Sequence, residues 1–255
     1  MNVLENKLKK HIKKGDIIYV EANLFNFYKK NSHYKLSDLP FNTYNMFKNL
    51  LGQTGTLSVP TFTFSWGEDS DKKIFNVEKD KCTNGIFSEY IRNLKKSIRT
   101  LDPMFSCCII GKKSKQLSKI SNDTFGNQSF YHKLFLTNAK IITYCLDKFD
   151  PTFIHFIEQY FNENINKINY RKIYIKSGRI KNTNKITKKL KIRCWLRKKG
   201  SKFFFNDKKL KEYLIKSKNL IEVKDKGLKI YIINAVDLFE ACIINLKKNK
   251  YFLVK

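Results

Sequence analysis

Residues 139–158 read AKIITYCLDKFDPTFIHFIE, and this stretch sets the chain's architecture. Ala139–Leu146 is an apolar run rich in β-branched residues and too short for a typical helix, so it predicts a strand buried on both faces. Asp147–Pro151 is a turn, and Pro151 suits the first turn of a helix with Asp150 as its candidate cap. On that helix His155 and Glu158, three residues apart, share one face. A carboxylate beside an imidazole orients and polarises it, which equips a general base. The same pair also serves as a purely structural hydrogen bond, and residues alone leave the two roles evenly matched. Of the chain's four histidines, His155 alone has a carboxylate at this spacing on a plausible helix.

Outward from this stretch, strands alternate with helices. Ile17–Val20, Thr56–Pro60 and Ser106–Ile110 predict buried strands, with helices over about 3–14, 41–51 and 84–96. The polar segment 65–82 predicts a loop, and helices are expected near 113–119 and 129–136. Beyond residue 168, strands are expected near 170–176, 190–196, 220–224 and 228–233, helices near 207–217 and 235–246, and a terminal strand at 251–254. The pattern is α/β: a central mixed, mostly parallel sheet covered by helices on both faces, with a strand-rich basic C-terminal portion. Residues 1–165 form the expected catalytic core, and 166–255 complete the same globular unit.

The net charge is +29, yet only six of the 51 basic residues are Arg. Residues 166–255 hold 27 Lys and Arg against 6 Asp and Glu, a balance of +21, leaving +8 for residues 1–165. A basic last third suits an anionic ligand, whereas a Lys-, Asn- and Ile-rich composition also arises from coding bias alone. There is no dinucleotide or P-loop glycine motif, no GxSxG elbow and no metal-ligand spacing. The six cysteines lie mostly in apolar runs without CxxC spacing, which fits reduced core thiols of a cytoplasmic protein. No apolar run has membrane-spanning length.

Five phrases, taken in order, resemble the antibiotic N-acetyltransferase family, best known for the aminoglycoside 3-N-acetyltransferases. They are Gly15-Asp16-Ile17-Ile18-Tyr19-Val20; Gly55-Thr56-Leu57-Ser58-Val59-Pro60-Thr61-Phe62-Thr63; Arg99 to Ser106, around Asp102-Pro103; Phe125-Gly126-Asn127-Gln128-Ser129; and Thr152 to Glu158. A looser likeness continues through Tyr170-Arg171. The resemblance implies a cytoplasmic acyltransferase that moves an acetyl or similar short acyl group from its CoA thioester directly to an amine, with no metal. It implies His155 as the base and Glu158 as its orienting partner. Thr61, Thr63 and Ser106 are then expected on the CoA side, and Asp102, Asp150, Tyr170 and Arg171 on the acceptor side.

The chain departs from the family where Glu21-Ala22-Asn23-Leu24 replaces a His-Ser/Thr-Ser-Leu strand end, and where Asp102 replaces a His. The Asp102-Pro103-x-x-Ser106 variant resembles members associated with surface-polysaccharide (lipopolysaccharide) synthesis, whose acceptor is a nucleotide-linked aminodeoxy sugar. Asp102 then either holds the sugar ammonium or caps a turn. Net positive charge repels polycationic drugs at long range. The expected acceptor is therefore the nucleotide-linked amino sugar, with aminoglycoside acetylation (antibiotic resistance) as the alternative. A non-catalytic nucleic-acid-binding protein is the competing class. A homodimer is compatible with the sequence.

Overall fold

The computed structural model describes residues 2–67, 73–182, 185–186 and 189–255. Helix α1 (Asn2–Leu8) leads into β1 (Ile17–Ala22), α2 (Leu24–Lys30), α3 (Leu39–Leu51) and β2 (Thr56–Pro60). Next come β3 (Ile74–Asn76), α4 (Ile86–Arg92), β4 (Ile98–Arg99), β5 (Cys107–Gly111), α5 (Ser114–Leu117), α6 (Phe130–Leu136), β6 (Lys140–Tyr144) and α7 (Ile154–Asn164). The rest comprises β7 (Arg171–Asn182), β8 (Lys185–Ile186), β9 (Leu190–Arg197), α8 (Asp207–Lys216), β10 (Ile221–Asp225), β11 (Leu228–Asn234) and α9 (Ala235–Lys248).

The main sheet runs β10-β11-β6-β1-β2-β5-β4. Its centre, β6-β1-β2, is parallel, with Ile18 opposite Lys140 and Ile17 opposite Thr56. The flanking pairs β11-β6, β10-β11, β2-β5 and β4-β5 are antiparallel. The sheet is mixed, as expected, and its parallel part is confined to those three central strands. Alternation along β1 divides the core: Ile18 and Val20 pack with α1 to α4, while Tyr19 packs with α5 to α9. Each fully buried large apolar side chain on these faces contributes roughly 1.5–3 kcal/mol.

A second, smaller sheet joins β3, β7, β8 and β9 and encloses its own core of Trp66, Phe75, Ile180 and Ile192. Strand β3 pairs parallel with the far end of β7, so part of the 65–82 segment expected as loop is strand. Residues 68–72 of that segment lie outside the described residues. The expected terminal strand is instead a turn with a single bridge, Phe205 to Val254. Strand β7 continues past 176 because β9 pairs with it from Arg171 to Gly178. Strands β10 and β11 reach the main sheet through β6, which ties the C-terminal portion to the same core.

Helix α7 begins at Ile154 with no side-chain cap, later than expected. Glu21 explains the shift: its Oε1 accepts from the Thr152 amide at 3.0 Å, so this donor is satisfied from β1 rather than by Asp150.

Candidate active site

Helix α7 packs Ile154, Ile157 and Phe161 into the core, which turns His155 and Glu158 to one side. His155 Nδ1 stands 2.9 Å from Glu158 Oε2; the imidazole is 19% exposed and the carboxylate 2%. The Phe125 ring meets the imidazole edge to face, its centroid 5.4 Å away. A carboxylate only accepts hydrogen bonds, so this contact places a proton on Nδ1 and leaves the Nε2 lone pair to act as base.

Arg171, the first residue of β7, completes the cluster. Its Nε lies 2.9 Å from Glu158 Oε2 and its Nη2 3.3 Å from His155 Nε2. Burial penalises the Glu158 charge, but Arg171 and His155 outweigh that and hold the carboxyl below its usual range. Burial, then the Arg171 charge, lower His155, while Glu158 and Asp150 pull the other way. The imidazole is therefore neutral at neutral pH, the state a base requires.

Beside this cluster, at the carboxyl ends of β1, β2 and β6, opens a cleft of about 430 Å³. Glu21, Asp147, Lys148, Asp150 and Thr152 line it together with Pro60. Asp150 and Thr152 lie within a turn or so of His155. Glu21 is pushed up to about 7 by burial, against hydrogen bonds from Thr152 and Tyr19. A carboxylate inside an otherwise apolar strand was its sequence signal. Asp147 accepts from Asn26 Nδ2 at 3.1 Å.

The remaining expected residues are placed differently. Thr61 and Ser106 are fully buried, Thr61 Oγ1 donating to the Ser106 carbonyl at 3.1 Å and Ser106 Oγ to the Thr61 carbonyl. Both hydroxyls are thus engaged by internal carbonyls. Thr63 donates to the Pro103 carbonyl at 2.8 Å. Asp102 is buried, and its Oδ1 accepts from the Met104 and Phe105 amides at 2.8 Å each. Of the two roles open to it, the geometry shows turn capping. Tyr170 is buried close to Glu158, its hydroxyl driven upward by burial and then by that charge. Arg171 is engaged by the base pair rather than held free on an acceptor-side surface.

Arg99, which opens the third phrase, is buried and organises this corner. Its Nε donates to Ser106 Oγ, and its other nitrogens donate to the carbonyls of Val77, Asp80 and Thr61. Among the described residues, no group of three or more His, Cys, Asp or Glu is arranged to hold a metal ion. The described cysteines are free thiols. No described helix is long and apolar enough to cross a membrane.

An oriented, neutral imidazole beside an open cleft on an α/β sheet is the equipment of a general-base transferase. The chain belongs to the family described as aminoglycoside 3-N-acetyltransferase, whose model matches residues 36–242. Membership of that family makes it an N-acetyltransferase.

The fold is similar to that of the aminoglycoside acetyltransferase AAC(3)-IIb, with a TM-score of 0.79 and 12% identity over 97% of this chain and 96% of that one. The aminoglycoside acetyltransferase AAC(3)-IVa apoenzyme aligns with a TM-score of 0.75 and 15% identity, over 99% of this chain and 90% of that one. AAC-IIIb, in a binary structure with CoASH, aligns at 0.77 and 15% identity, over 97% and 96%. No curated protein sequence matches the chain.

Proposed function

We propose that the chain acetylates a cationic amine on a carbohydrate-like acceptor, with His155 Nε2 as the base. The observation that carries this is the neutral, Glu158-oriented imidazole beside a cleft lined by the carboxylates Glu21, Asp147 and Asp150. An ammonium settles against such carboxylates, then gives one proton to solvent water to reach the nucleophilic state. As the amine nitrogen attacks the thioester carbonyl, its second proton passes to Nε2. The tetrahedral adduct then collapses, expelling the CoA sulfur, which recovers a proton from the imidazolium. A positioned base of this kind supplies roughly 10²–10⁴-fold.

The family's description favours an aminoglycoside-type amine as the acceptor, and three carboxyl groups against the single ammonium of Lys148 in the cleft agree with it. The nucleotide-linked aminodeoxy sugar is the second reading. A pocket of about 360 Å³ shares Leu146 and Asp147 with the cleft and carries Lys29, Lys30 and Lys229. Three ammonium groups there suit phosphates, whether those of CoA or of a nucleotide-linked acceptor.

Free-thiol release from acetyl-CoA, measured with kanamycin-type amines and with dTDP- and UDP-aminosugars, tests both readings. Turnover with the drugs alone supports the first, and turnover with the nucleotide sugars alone supports the second. No turnover with any amine, alongside salt-sensitive nucleic-acid binding, would overturn both in favour of the non-catalytic class.

A further inference from the structure

In a chain with 51 basic residues and only six Arg, arginine marks places where a fork matters more than a charge. Arg92 grips both carboxylate oxygens of Glu89, and Arg99 satisfies four acceptors at once. Arg171 is the case that touches the base. Its Nε and Nη2 reach two different residues, Glu158 Oε2 at 2.9 Å and His155 Nε2 at 3.3 Å.

The imidazole is thus held from both sides. Glu158 accepts at Nδ1, and a guanidinium N–H, which never loses its proton in proteins, donates at Nε2. Only the neutral Nδ1–H tautomer satisfies both contacts, because a proton on Nε2 would set two N–H donors face to face.

We propose that Arg171 is a positioning residue, a latch that keeps His155 in its base-competent tautomer and yields its place at Nε2 to an acceptor N–H. The proposal rests on His155 being the base. While the guanidinium occupies Nε2, solvent protons are kept from it. When the acceptor amine enters, one N–H donor replaces another at the same lone pair, and Arg171 keeps its bond to Glu158. No proton leaves Arg171 at any point.

The groups that face the imidazole are Glu158 on its own helix, Asp150 from the preceding turn, Arg171 from β7 and the Phe125 ring. Asp150 in turn senses Asp207 at the start of α8. Among these, Arg171 is the only cation, so its removal leaves two carboxylates to favour the imidazolium.

The test uses the unliganded full chain with ¹⁵N-labelled histidine, His155 being assigned by the signal lost in His155→Ala. In Arg171→Met the His155 titration midpoint should rise and the Nε2–H tautomer should become populated. The acid limb of kcat/KM should move with it, so that the rate at the acid end falls about tenfold when the midpoint rises by one pH unit. Arg171→Lys keeps the charge but presents a single nitrogen, so it should restore the midpoint only in part. An unchanged midpoint and tautomer in Arg171→Met would overturn the latch whatever happens to turnover. If that variant lacks a cooperative melt, an unchanged tautomer in Arg171→Lys overturns it instead. Full turnover by His155→Ala would sink the base assignment, a separate failure.

Discussion

The Thr152 amide donates a 3.0 Å hydrogen bond to Glu21 Oε1, joining the end of β1 to the turn that launches the His155 helix. The bond spans 131 residues of chain and fixes where α7 starts. It also draws a carboxyl into the cleft wall, where Tyr19 Oη donates to the same oxygen at 3.0 Å.

Glu21 gives the first prediction. Burial raises its pKa to about 7, so between the unfolded value near 4.5 and 7 the native state binds more protons than the unfolded state. Stability from this group is therefore full at low pH and is lost as pH rises through 7. Glu21→Gln keeps an oxygen to accept both hydrogen bonds and removes the buried charge. Its melting temperature should exceed that of the parent at pH 8, by the equivalent of a few kcal/mol, and the difference should vanish near pH 4. Equal melting temperatures at pH 8 would refute the account.

His155 carries the opposite sign. Burial and Arg171 lower its pKa, so the imidazole stays neutral as pH falls through its ordinary value of 6.5. The plateau of kcat/KM should extend below pH 6.5, and His155→Ala should lose about 10²–10⁴-fold in kcat. A pH–rate profile that breaks above 6.5 contradicts this.

Glu158→Gln should lower both kcat and stability. The amide removes the charge that steadies the imidazolium and leaves Arg171, 16% exposed, without its ion-pair partner. The loss of stability should be about 2–4 kcal/mol, discounted from a fully buried pair because Arg171 keeps some solvent. Urea unfolding checks it.

Arg99→Met should destabilise by about 3 kcal/mol, since it orphans the Val77 and Asp80 carbonyls and leaves the Thr61 carbonyl with Ser106 Oγ as its remaining side-chain donor. The melting temperature should fall while His155 titrates as before, because Arg99 does not touch the imidazole.

Gly178→Ala tests the second sheet. A Cβ there would stand 2.5 Å from both the Trp66 ring and the Lys73 carbonyl. The cost should be about 1–3 kcal/mol. Trp66→Leu in the same chain should relieve part of it.

The sequence by itself determined the elements whose signal is local. Short apolar runs bounded by turn residues marked β1, β2, β5 and β6, and the 3.6-residue period put His155 and Glu158 on one face of α7. Spacing along one helix fixes which side chains meet, so the pair could be read directly. Only the tertiary structure decided the rest. Arg171 reaches the pair because β7 begins beside α7, and Glu21 reaches Thr152 because β1 lies next to β6. Strand β3 exists because β7 offers it an edge, which no three-residue pattern announces. Thr61 and Ser106 look like exposed hydroxyls at strand ends, but Arg99 donates to Ser106 Oγ and to the Thr61 carbonyl, and the Thr61 hydroxyl turns inward to the Ser106 carbonyl. In each case the deciding partner lies on another element, so packing and hydrogen-bond satisfaction selected it, not local propensity.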